Sequence, residues 1–164
     1  MNKIYIDSNG CAVLHHETER IARYFTLNGW TLEKSPEVAD IIILTCCGVT
    51  HNEEDEAIGI LRKLEEARTP DSRIIVSGCM PAFAKARVLG VSPQATILKY
   101  AELAQLDGII SADVPFETVY YNARPMLKSE NDSIYDTDTD LQLMRKIDRL
   151  CCGRFCEQAW NVST

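Results

Sequence analysis

Proline and glycine are scarce in this sequence: 6 and 8 of 164 residues, too few for a collagen-like or low-complexity chain. Long hydrophobic runs are missing as well. The longest, residues 41–44 with their neighbours, is strand-sized, whereas a membrane helix needs about 18 apolar residues in a row. The first residues, MNKIYIDS, lack the apolar core and small-residue cleavage site of an export signal, so a soluble cytoplasmic chain without membrane contact is expected. Basic charge is in the minority, 17 Lys and Arg against 24 Asp and Glu, for a net charge of −7. Such a surface repels a phosphate backbone and excludes a nucleic-acid grip by this piece alone. Neither a G-x-x-x-x-G-K-S/T loop nor a G-x-G-x-x-G turn occurs, and G-x-S-x-G is absent too. Nucleotide-loop and serine-hydrolase readings therefore have no motif to rest on.

What the sequence does have is a 46% hydrophobic composition, enough for a folded core, and seven cysteines. They are Cys11, Cys46, Cys47, Cys79, Cys151, Cys152 and Cys156. An odd number without an export signal argues against a disulfide framework. In a reducing compartment clustered thiols bind metal or perform chemistry.

The first hundred residues alternate short β-branched runs with helical patterns. Strands are predicted at 3–7 (KIYID), 30–33, 39–45 (ADIIILT), 73–77 (RIIVS) and 95–98. Helices are predicted at 14–28, stopped by Gly29, and at 51–68, 82–89 and 100–106, with one further turn at 36–39. The acidic run Glu53–Glu56 suits the positive end of the second long helix. Alternation of this kind specifies an α/β fold: a flavodoxin-like three-layer sandwich with a mainly parallel five-stranded sheet. After residue 110 the pattern decays. Residues 1–110 read as the domain, and 111–164 as a linker or arm with a cysteine-containing tail.

Three cysteines occupy equivalent places in this pattern. Cys11 follows the first strand, Cys46 the third and Cys79 the fourth. In a parallel sheet the C-terminal strand ends share one edge, where ligands bind, and adjacent strands lie about 4.8 Å apart. In the order 2-1-3-4-5 the three loops converge, and Gly10 and Gly78 permit tight turns just before two of the thiols. Zinc with an open position and an iron–sulfur cluster are both open on this ground. Spacings of 35 and 33 residues, unlike paired C-x-x-C hooks, favour the cluster. Cys47 reads as a packing residue, able to replace Cys46 if the loop turns early. His15, His16 and His51 lie near these loops and read as solvated. The competing class is a non-catalytic scaffold, zinc-binding module or electron-transfer partner.

The array Asn9-Gly10-Cys11, Glu17-Thr18-Glu19, residues 39–46 (ADIIILTC) and residues 76–80 (VSGCM) resembles the N-terminal domain of the radical-SAM methylthiotransferases. Those enzymes insert a methylthio group into tRNA adenosines or a ribosomal-protein aspartate. The resemblance covers roughly residues 1–110. It implies that Cys11, Cys46 and Cys79 hold an auxiliary four-iron four-sulfur (4Fe-4S) cluster whose open iron takes the sulfur to be inserted; loss in air or replacement by zinc is expected. Leu44 stands where the family has asparagine, Val13-Leu14 where it has M-N, and Thr50-His51 in place of its basic residue.

The resemblance also implies a second cluster motif, C-x-x-x-C-x-x-C, at the start of a SAM-binding barrel. Cys152 and Cys156 match its first two positions, and Ala159 stands at the third. They are candidates for a second metal site, together with Cys151 and completed by Glu157 or water, although an exposed, oxidation-prone tail is the favoured reading of all three. No barrel of about 200 residues fits after Cys156. This chain alone is therefore expected to be inactive. Its partner is a radical-SAM barrel domain or a separate radical-SAM protein, with tRNA or ribosomal protein met only through other domains.

Overall fold

The computed structural model describes residues 2–119, which lie in a compact unit spanning Met1–Tyr120. Five strands, β1 (Lys3–Ser8), β2 (Thr31–Leu32), β3 (Ile41–Cys46), β4 (Arg73–Gly78) and β5 (Thr96–Lys99), form one sheet in the order β2-β1-β3-β4-β5. Every pairing is parallel. The flavodoxin-like α/β sandwich expected from the alternation is the fold observed.

β3 explains the arrangement. All six of its residues are buried, as a central strand covered on both faces requires. Alternation sends Ile42, Leu44 and Cys46 into a core with Ile58, Leu61 and Leu64 of helix α2 (His51–Ala67). Ile41 and Ile43 go to the opposite core, with Ile21, Tyr24 and Phe25 of helix α1 (Ala12–Leu27). Each fully buried aliphatic side chain there contributes about 1.5–3 kcal/mol.

Two predicted helices take a different form. The expected 82–89 helix is a pair, α3 (Met80–Phe83) and α4 (Lys85–Val91), broken at Ala84, whose ψ of 34° is not helical. Pro81 permits a helix to begin here, immediately after β4. The 100–106 segment is a 3-10 helix (Tyr100–Gln105) that continues as α5 (Leu106–Ile110). Beyond it, Phe116 and Val119 are buried in the α1-side core. Among the described residues no helix is long and apolar enough to cross a membrane. The tail cysteines, including the Cys152 and Cys156 pair, lie outside the described residues.

Candidate functional site

β1, β3 and β4 are consecutive in the sheet, so the loops leaving their C-terminal ends share one edge. Ser8 pairs with Thr45, and Cys46 pairs with Gly78, which sets the three strand ends nearly level. Cys11 caps the N-terminus of α1 and is exposed. Cys46 is the last residue of β3, and Cys47 the first beyond it; both are buried. Cys79 follows β4, caps α3 and is half-buried.

Two glycines make the close approach of these loops possible. Gly78 has φ +102°, a conformation that side chains disfavour, and a Cβ there would stand 2.5 Å from the Cys46 carbonyl oxygen. A Cβ on Gly48 would stand 2.7 Å from the Cα of Met80, so the loop after Cys47 lies directly on the start of α3. Backbone bonding completes the junction: the Cys79 N–H donates to the Cys46 carbonyl at 3.0 Å.

The sulfurs of the adjacent pair meet different surroundings. The Cys46 thiol donates to the Ser77 carbonyl at 3.3 Å inside the α2-side core. Burial pushes its pKa up to about 12, with the neighbouring Cys47 adding to the rise. The Cys47 thiol is also raised, chiefly by burial, while its bond to the Val49 backbone opposes the shift. The charge of the Glu53 carboxylate and its hydrogen bond with the thiol add to the rise, and Cys11 contributes least.

Asn9 ties these parts together. Its Oδ1 accepts the Cys47 N–H at 3.1 Å, and its Nδ2 donates to the Glu53 carbonyl at 2.9 Å. Sequence reasoning gave Asn9 no such role, because its partners lie 38 and 44 positions away. Of the histidines near the loops, the His51 side chain is 96% exposed and His15 is exposed, while His16 is half-buried.

Thiolates are soft donors suited to zinc and to iron–sulfur clusters. The donor chemistry of Cys11, Cys47 and Cys79 on three adjoining loops fits such a group. Cys47 is buried too, but Cys46 is packed into the α2-side core with its thiol on the Ser77 carbonyl, and it fits such a group less well. Among the described residues, no three His, Cys, Asp or Glu side chains are gathered as a metal-holding group.

Comparison with known proteins puts this geometry in context. The family described as Uncharacterized protein family UPF0004 matches residues 3–99. The tRNA-2-methylthio-N(6)-dimethylallyladenosine synthase of Bacillus mycoides is 40% identical over 80 residues, 48% of this chain and 16% of that protein. Proteins of the same name from Bacillus cereus and Bacillus thuringiensis are each 39% identical over 80 residues, with the same coverage. The matched stretch thus spans about a sixth of the length of these relatives.

Proposed function

The chain belongs to the UPF0004 family and carries the N-terminal domain of methylthiotransferases, and on that premise we propose that its cysteine edge holds an auxiliary 4Fe-4S cluster serving sulfur insertion. The thiols assigned to it are Cys11, Cys79 and one member of the Cys46–Cys47 pair, with Cys47 the better placed. The observation carrying this reading is the convergence of three cysteine loops on consecutive strands of a parallel sheet. The choice of Cys47 is supported by its N–H turning to Asn9 in the Cys11 loop and by the bond that turns the Cys46 thiol to Ser77.

Held by three thiolates, such a cluster supplies an open iron for the sulfur to be inserted. The protein's part is to supply thiolates, to hold their loops in register, and to keep water from the inner side. Cys46 serves the last of these tasks by filling the core beneath the loop. The relatives are named for a methylthiolated tRNA adenosine, and the same substrate class is proposed here. SAM and tRNA chemistry fall to a radical-SAM barrel domain or a separate radical-SAM protein, in the cytoplasm. Cys152 and Cys156 are proposed as part of a second, incomplete metal motif.

Anaerobic reconstitution with iron and sulfide tests the reading through bound iron and acid-labile sulfide. C11A, C47A and C79A are each expected to lose most of the iron, while C46A keeps it. Unchanged iron in C11A and C79A would sink the proposal. Zinc bound in place of iron, with unfolding on chelation, would favour a structural module instead.

A further inference from the structure

Cys46 ends β3 and Cys47 follows it, and opposite sets of bonds hold the two. Cys46 is committed to the β4 side: it pairs with Gly78, its carbonyl accepts the Cys79 N–H at 3.0 Å, and its thiol donates to the Ser77 carbonyl. One residue later the chain leaves the strand, and its N–H turns to the β1 side. There Asn9 Oδ1 receives it at 3.1 Å.

The other end of the Asn9 amide donates to the carbonyl of Glu53, in the first turn of α2. A single side chain thus joins the loop carrying Cys11, the end of β3 and the start of α2. Its orientation is unambiguous, because the oxygen faces a donor and the nitrogen an acceptor; a flipped amide would lose both bonds. No ordinary replacement reproduces the pair. Aspartate keeps the acceptor for Cys47 but sets a carboxylate oxygen against the Glu53 carbonyl, and alanine removes both bonds.

We infer that Asn9 is a positioning residue that selects Cys47, not Cys46, as the thiol presented beside Cys11. The peptide between the two cysteines is fixed at both ends, by the β4 ladder before it and by Asn9 after it. Releasing the Asn9 end frees that peptide to rotate and removes the distinction between the two sulfurs. The purpose of the selection rests on the proposed cysteine site, but the selection itself is a property of the metal-free chain.

Its test therefore uses this chain free of metal, reduced and kept under argon. Iodoacetamide labelling followed by peptide mass spectrometry reads the rates at Cys46 and Cys47 separately. In the wild type, Cys47 is expected to react at least about 10-fold faster, because its backbone opens without breaking the β ladder. N9A is expected to bring the two rates together, and N9D, which keeps the acceptor, to retain most of the difference. A ratio unchanged in N9A overturns the inference, as does an N9D ratio that collapses as far as that of N9A. Far-UV circular dichroism of both variants verifies the fold, and N9D carries the test should N9A fail to fold. A Cd2+ titration followed by thiolate absorption supplies the second readout, with about 10-fold weaker binding expected in N9A. Selective labelling of Cys47 in a protein that takes up no iron would sink the cluster reading and leave the role of Asn9 standing.

Discussion

At Gly78 the backbone adopts φ +102° and passes so close to Cys46 that a methyl group would meet both its carbonyl oxygen and its nitrogen. Gly78→Ala therefore combines strain in a disfavoured conformation with a clash against backbone, which has no flexible end to yield. The expected cost is about 2–3 kcal/mol, and the melting temperature should fall by about 10 °C or more in a thermal denaturation scan. A variant as stable as the wild type would mean that the junction relaxes at little cost. Glycine before Cys79 was legible in the sequence as a turn signal, and the structure supplies the reason for it. The directions of the two β3 thiols were not legible. Both residues are cysteine, and only tertiary bonds tell them apart: the Cys46 thiol goes to the Ser77 carbonyl, while the Cys47 backbone N–H goes to Asn9 and its thiol to Val49 and Glu53.

Among the elements, α2 shows how far local sequence reaches. Thr50 and Glu53 form a reciprocal capping box, in which the Thr50 hydroxyl accepts the Glu53 N–H at 3.3 Å and the Glu53 carboxylate accepts the Thr50 N–H at 3.0 Å. That start needs only neighbours three residues apart, so the pattern 51–68 predicts it well. The segment after α5 is the opposite case. Asn28, at the end of α1, bonds both the N–H and the carbonyl of Val114. Asp107 accepts the Phe116 N–H at 2.8 Å, and Arg20 donates to the carbonyls of Phe116 and Val119 while lying 4.1 Å over the Phe116 ring. Residues 114–119 thus run back along α1, held by side chains up to 99 positions away. Irregular backbone fixed in this way leaves no periodicity to detect. R20A should release it, speeding hydrogen exchange at the Thr118 and Val119 amides and costing about 2–3 kcal/mol. Exchange unchanged from the wild type would assign the hold to Asn28 and Asp107.

At the scale of the folded unit, buried acids tie stability to alkaline pH, Cys46 and Tyr24 most strongly. Burial raises the Cys46 thiol from the ordinary 9.0 to about 12. Tyr24 is raised above 10.0, first by burial and then by the hydrogen bond to Asp107 at 2.9 Å. In each case the folded state keeps a proton that the unfolded chain gives up. The stabilisation is therefore complete below pH 9 for Cys46 and below pH 10 for Tyr24, and is lost as pH rises through these windows. Urea unfolding of the metal-free protein should lose about 1.4 kcal/mol per pH unit for each group titrating. C46A should remove much of the part that begins near pH 9, leaving the share of the raised Cys47 thiol, and Y24F the part above pH 10; a flat profile in the wild type would contradict both. At this scale the scarcity of basic charge, proline and long apolar runs, together with the strand and helix periods, determined by itself an α/β sheet with cysteines after its first, third and fourth strands. Those features depend on burial and repeat, which each segment carries in its own residues. Tertiary structure alone decided where α3 breaks from α4, how residues 114–119 return along α1, and which of two neighbouring thiols turns to the core. Each of these is settled by hydrogen bonds and contacts between residues far apart in the chain, so no local pattern encodes it.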